Sequence, residues 1–179
     1  MRSAPLAAIL VLAGCASGAV PGTAPEAERP SFGRVGVEDV ETAARGLDEA
    51  AVRRAVVALF DGMRAGDSSA VRAVFYPGAS FRTVVPEEGG GFRLASGDPE
   101  AFIAAVGAPK EQVWDERIGP IEVQVDQGLA TAWMAYAFYL GETFSHCGVN
   151  AMQFAKTDGT WRIVHLVDTR RQACDPLGG

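Results

Sequence analysis

The sequence predicts an α+β domain, with three helices gathered in the first half of the chain and a long antiparallel sheet in the second. Three observations carry that reading. Between Asp48 and Gly107 apolar residues recur at helical spacing behind acidic caps. From Val113 onward β-branched and aromatic residues dominate, interrupted only by short turn signals. Finally, Asp158-Gly159 sits between two such runs, 145–156 and 161–171, and supplies the two positive-φ positions of a tight hairpin turn.

The first fourteen residues read as a leader. Arg2 provides a positive start, Leu6 to Leu12 is an apolar run too short to span a bilayer, and Leu12-Ala13-Gly14-Cys15 closes it. That junction resembles the lipobox of bacterial lipoproteins, which implies an acylated Cys15 at the mature N-terminus; Ala16 beside it points to the outer membrane. Residues 15–47, rich in Ala, Gly, Pro, Ser and Glu, read as a flexible tether with a helical patch at Val37–Ala44. The folded domain is expected over 48–175.

Asp48 is a good N-cap for a helix carrying Val52, Val56, Leu59, Phe60 and Met63, which Gly66 ends. Asp67 caps a second helix with Val71, Val74 and Phe75, stopped by Pro77-Gly78. Short strands are expected at Phe81–Val85 and Phe92–Ala95, around a loop from Pro86 to Gly91. Asp98-Pro99 starts a third helix, with Phe102, Ile103 and Val106 on its apolar side and Gly107 at its end. Val113–Asp126 and Leu129–Gly141 are then long strands joined at Gln127-Gly128, and a turn near Glu142-Thr143 leads into the hairpin.

A two-residue hairpin turn fixes register. It pairs Phe154 with Ile163, Met152 with His165, Asn150 with Val167 and Gly148 with Thr169. With the simplest registers elsewhere, one face collects Met134, Met152, Phe154 and Ile163 together with the polar Tyr136, His146, Asn150 and His165. Trp133, Tyr139, Val149, Val164 and Leu166 fall on the other face, as does Asp168, which is expected to pair with Arg162 or Arg170. Both faces are substantially apolar. Helices cover one, and the second predicts a homodimer, because so large a patch is unusual on a monomer.

The formal charge of −6 and the absence of a basic run argue against nucleic acid and against electrostatic attachment to anionic lipid. With Cys15 modified, Cys147 and Cys174 remain as an even pair in an oxidising compartment, and Cys147 lies close to the chain's tail in the hairpin register. A disulfide between them would stabilise by about 3–4 kcal/mol in the chain-entropy account.

The order of elements, with the Gly66-Asp67 junction, Phe75-Tyr76-Pro77-Gly78-Ala79-Ser80-Phe81, and the ending Asp158-Gly159-Thr160-Trp161-Arg162-Ile163-Val164-His165, resembles the nuclear transport factor 2-like superfamily. Leu166-Val167-Asp168-Thr169-Arg170-Arg171 is similar to its subgroup labelled putative lumazine-binding, close to the SnoaL-like branch. The resemblance covers 48–171. It implies a cone, a curved sheet wrapped around the three helices with a pocket inside and dimerisation through the outer sheet face. It leaves function open, since the superfamily holds isomerases, dehydratases, cyclases and binding modules.

The candidate pocket residues are Tyr136, His146, Asn150 and His165, with Trp114 and Tyr76 adding aromatic surface at the mouth. If the protein is an enzyme, His165 with Tyr136 would transfer a proton next to a carbonyl. Relatives place an aspartate inside the cone, and here Asp115 or Asp168 would have to serve. With no inner-face carboxylate to pair with His165, the sequence favours satisfied core polar groups over binding, and binding over catalysis. The expected protein is therefore a membrane-tethered envelope lipoprotein, a non-catalytic binding or accessory module for a small apolar ligand; an isomerase, cyclase or dehydratase is the alternative. No cofactor is implied. No metal is expected either, since His146 and His165 lie roughly 20 Å apart along the hairpin.

Overall fold

A computed structural model describes residues 36–174. The leader, Cys15 and the tether up to residue 35 lie outside the described residues. The elements run α1 (Val37–Ala65), α2 (Ser68–Val74), β1 (Phe75–Pro86), β2 (Phe92–Gly97), α3 (Pro99–Gly107), β3 (Trp114–Ile118), β4 (Glu122–Asp126), β5 (Leu129–Leu140), β6 (Thr143–Thr157) and β7 (Thr160–Thr169). Among the described residues no helix is long and apolar enough to cross a membrane.

Helix α1 is continuous from Val37, so the helical patch and the helix expected after Asp48 are one element. Asp48 is not its N-cap. The start is set by acidic Glu38 and Asp39 in the first turn, where they complement the helix dipole, and by Asp39 Oδ2 accepting from the Gly36 N–H at 3.1 Å. Asp48 has a tertiary role instead: its Oδ1 accepts from Lys156 Nζ at 2.6 Å and from Trp161 Nε1 at 3.0 Å, which fastens the helix to the far hairpin. Val52, Val56, Leu59, Phe60 and Met63 form the buried stripe. The helix stops at Gly66, whose φ of 69° suits a residue without Cβ. The caps expected at Asp67 and Asp98 are formed, each carboxylate accepting from two backbone N–H groups.

The strands make one curved sheet in the order β2-β1-β7-β6-β5-β3, with β4 also on β5, antiparallel except where β1 runs parallel to β7. The helices pack on its inner face around Ile103, Val106, Met134, Met152, Phe154 and Ile163. Near the turn the predicted register holds: Asp158 and Gly159 have φ of 52° and 73°, and Phe154 faces Ile163. The β5–β6 pairing also follows the predicted register from Leu129 opposite Ala155 to Phe138 opposite His146.

Besides a one-residue shift at the end of the β5–β6 pair, where Tyr139 faces Phe144, two one-residue slips depart from the prediction. A bulge between Phe154 and Gln153 inserts an extra residue into β7, so Gln153 pairs with His165, Met152 with Leu166 and Asn150 with Asp168. His165 therefore points to the outer face, and Leu166 and Asp168 point inward, the reverse of the expectation. The second slip is at Gly119-Pro120, where the expected strand 113–126 breaks into β3 and β4. Proline has no N–H to donate to the ladder. Glu122 through Asp126 keep the predicted partners on β5, whereas Trp114 through Ile118 pair one residue off, with Ile118 opposite Tyr136 and Glu116 opposite Phe138. Because side chains alternate along a strand, each slip exchanges the faces of everything beyond it.

Beyond β7, Arg171 pairs with Cys147 through Cys147 N→Arg171 O (2.9 Å) and Arg171 N→Cys147 O (2.8 Å). Cys174 is joined to Cys147 by the expected disulfide, with Cα atoms 6.5 Å apart.

Candidate functional site

Together the two slips bring a pair of carboxylates into the cone. Glu116 from β3 and Asp168 from β7 stand with Tyr136 of β5 in a cavity of about 320 Å³ whose apolar walls include Met63, Phe102, Trp114, Phe138 and Leu140. A narrower recess of about 100 Å³ continues toward Leu59, Phe75, Phe81 and Asn150 and shares Glu116, Asp168 and Arg170 with it. Apolar walls with a few converging polar groups are the usual make-up of a small-molecule site.

Asp168 is saturated by protein partners. Its Oδ1 accepts from Thr83 Oγ1 at 2.5 Å, and its Oδ2 accepts from Arg170 Nε at 2.8 Å and from the Tyr136 hydroxyl at 3.3 Å. Tyr136 also donates to the Thr169 carbonyl at 2.9 Å. That crossing needs Gly148: a Cβ there would collide with the Thr169 carbonyl oxygen and lie 2.8 Å from the Tyr136 ring. Asp168, Tyr136, Thr83 and Arg170 thus form a fixed polar frame.

Glu116 is held differently. Its Oε1 accepts from Asn150 Nδ2 at 2.7 Å, and its second oxygen receives no hydrogen bond among the described residues. No fully buried side-chain polar atom lacks a partner there, so this oxygen faces the cavity. Burial raises the Glu116 pKa to about 7, and the charge of Asp168 adds to the rise, against the hydrogen bond from Asn150 and the positive charge of Arg170. Near neutrality the group divides between carboxyl and carboxylate, the condition for giving and taking a proton.

Burial, with Asp168 and Glu116 nearby, drives the Tyr136 hydroxyl far above its usual range, so it stays protonated. His146 is lowered by burial and by Arg170, against the pull of Asp168, and is the neutral imidazole at neutral pH. It packs edge-on to Tyr136, with ring centroids 5.7 Å apart, and against Phe138 at 5.0 Å. Arg170 is raised by its bond to Asp168, despite the opposing effect of burial, and remains charged.

Of the residues singled out from the sequence, Trp114, Tyr136, His146 and Asn150 line the cavity or its recess. His165 does not: it lies outside with Gln153, its Nδ1 2.6 Å from Ser80 Oγ. The His165–Tyr136 proton-transfer pair is therefore ruled out by the bulge. Tyr76 is exposed and lines neither cavity. Asp115 is tied into ion pairs with Arg64 and Arg117 at 2.6 and 2.8 Å. Asp168 does pair with Arg170, one of the two partners expected, but on the inner face. Sequence reasoning missed Glu116 altogether and placed Asp168 on the wrong face. Gly119-Pro120 is the signal that marks the slip between β3 and β4, and nothing in Gln153-Phe154 or Ile163-Val164 marks the β7 bulge. Among the described residues no group of three or more His, Cys, Asp or Glu side chains is placed to hold a metal.

A family model described as "Putative lumazine-binding" matches residues 47–167. No curated protein matches. Among solved structures, a nuclear transport factor 2-like protein with a cystatin-like fold from Novosphingobium aromaticivorans superposes with a TM-score of 0.61 at 19% identity, covering 79% of this chain and 94% of that one. A protein of unknown function from Mycobacterium tuberculosis gives 0.60 at 16%, covering 79% of each. A structure named as a putative scytalone dehydratase, also from N. aromaticivorans, gives 0.56 at 14%, covering 77% and 98%. At these identities the likeness is one of fold.

Proposed function

Because this chain belongs to the putative lumazine-binding family of the nuclear transport factor 2-like superfamily, and because its cone holds a half-ionised carboxyl facing an apolar cavity, we propose that it takes up a small, largely apolar molecule and that Glu116 exchanges a proton with it. The chemistry is of the isomerase or dehydratase kind: the carboxylate removes a proton from carbon next to a carbonyl, and the carboxyl then returns it to another carbon of the same molecule or gives it to a departing hydroxyl, which leaves as water as a double bond forms. Glu116 is the proton carrier and Asn150 fixes its orientation. Tyr136 and Asp168 shape the floor, and Trp114 and Phe138 pack against the ligand body.

The single supporting observation is Glu116, with one oxygen held by Asn150, the other facing the cavity and a pKa near 7. It removes the reason for ranking catalysis last, which was the absence of an inner carboxylate. A panel of small cyclic ketones in D2O, followed by NMR, tests the reading. Wild type should accelerate exchange at carbon next to the carbonyl, and Glu116→Gln should lose at least about a hundredfold of that rate, the usual scale of general-base catalysis. Equal exchange by both proteins sinks the assignment.

Non-catalytic binding is the second reading, and one observation favours it. The Tyr136 hydroxyl and Asp168 are committed to protein partners, so neither is a free donor for charge developing on a substrate oxygen. Native mass spectrometry on protein purified from its source, showing a bound molecule where the ketone panel shows no exchange, would select it.

We also propose that the protein is a lipid-anchored envelope protein, probed by labelled palmitate, which should enter wild type and not Cys15→Ser. The Leu12-Ala13-Gly14-Cys15 junction and the formed disulfide support this address. The outer sheet face remains the proposed homodimer surface, now without Leu166. Trp133, 54% exposed on that face, is its strongest support. Trp133→Glu should convert a dimer to a monomer in light scattering, and a monomeric wild type removes the proposal.

A further inference from the structure

The chain leaving β7 does more than end the sheet. Arg171 is paired to Cys147 by two backbone hydrogen bonds and Cys174 by the disulfide, so the segment 170–174 is fastened to β6 at two points. There residues 170–173 form one side of a shallow groove of about 680 Å³, with Val85, Pro86, Ser145 and His146 opposite. Its lining carries two guanidinium groups and no acidic residue, in a chain whose formal charge is −6. Positive charge is concentrated in a groove that shares Arg170 and His146 with the inner cavity.

Both arginines have capacity to spare. Arg170 spends only Nε on Asp168, and its Nη atoms make no hydrogen bond or ion pair among the described residues. The Arg171 side chain makes none there either. Arg170 and His146 line the groove and the inner cavity alike, so a single molecule can span the two. Resting on the reading of the cavity as a small-molecule site, we propose that its ligand is an organic anion: an apolar body of aromatic or alicyclic character in the cone, and a carboxylate or sulfonate head in the groove, met by Arg170 and Arg171 with Ser145 and His146 beside it. A planar guanidinium matches two oxygens of such a head with parallel hydrogen bonds. Glu116, which lines the inner cavity and not the groove, opposes the reverse orientation.

Two fluorescent probes with one skeleton isolate the head group. 8-Anilinonaphthalene-1-sulfonate carries the anion, and N-phenyl-1-naphthylamine is the same framework without it. Both should bind the wild-type protein with its disulfide intact. Arg171→Gln, which leaves the Arg170–Asp168 pair in place, should weaken the sulfonate roughly tenfold, the scale of one charged hydrogen bond. It should leave the neutral probe unchanged, which also reports that the variant is folded. Added salt should weaken only the sulfonate. Equal loss of both probes, or loss of neither, overturns the anion-binding inference while leaving the cavity reading intact. Failure of both probes to bind wild type overturns the cavity reading and this inference with it.

Discussion

The two ends of the β6–β7 hairpin are built from the same kind of strand and do opposite work. Toward the turn, Phe154 and Ile163 face each other fully buried against the helices, and the pairing is what the Asp158-Gly159 turn dictates. Beyond the bulge the inward pairs are Met152 with Leu166 and then Asn150 with Asp168, so the apolar core gives way to a polar frame one pair past it. The unpaired residue decides which β7 side chains reach that frame. The core half tolerates only apolar side chains inside, so its register is enforced by burial. The site half has polar groups on the inside, and its register is set by the bulge, with β1 fixing Asp168 through Thr83.

Breaking each half should therefore read out differently. Phe154→Ala, at the turn end, should cost about 3–5 kcal/mol in urea unfolding through the cavity it leaves, with the site geometry preserved in whatever fraction remains folded. A cost under about 1 kcal/mol would mean that this end is not the packed half. Asp168→Ala, at the site end, should cost less, about 2–3 kcal/mol, because its partner Arg170 is largely exposed and rehydrates. It also frees the Tyr136 hydroxyl from Asp168 and loosens the groove, so it should alter sulfonate binding where Phe154→Ala does not. An unchanged stability would show that the network of Thr83, Tyr136 and Arg170 is not formed.

Glu116→Gln is the subtlest change and sharpens the contrast. The pKa of Glu116 is raised on folding, to about 7 from an ordinary 4.5. Its contribution to stability is therefore fully present below the lower value and is lost as pH rises through the higher one. Glutamine keeps the oxygen that accepts from Asn150 and never ionises. Relative to wild type, Glu116→Gln should gain about 1–3 kcal/mol between pH 5 and pH 8, a functional carboxyl being held at some cost to stability. A pH-independent difference would place Glu116 in ordinary solvent.

Much of the architecture was legible in the sequence, because its signals are local. Asp67 and Asp98 cap their helices, Gly66 stops one, and the Asp-Gly turn sets the first pairs of the hairpin. The start of α1 was not, since Asp48 has the chemistry of an N-cap and the turns before it are exposed and polar; only the fold shows that its carboxylate is held by Lys156 and Trp161. The site was legible only in part. Tyr136, Asn150 and His146 were found because β5 and β6 keep a simple register as far as His146. His165 was misplaced, and Glu116 and Asp168 missed, because a face assignment is lost at one bulge, and the residues at the β7 bulge have nothing in their chemistry to announce it.

The central claim is that Glu116 is a cavity-facing carboxyl poised near neutrality. It is tested most directly by 13C NMR titration of side-chain carboxyl carbons in labelled protein, with Glu116→Gln identifying the resonance. The account predicts a midpoint at about 7 for that one signal, whereas a midpoint at the ordinary glutamate value of 4.5 would contradict it.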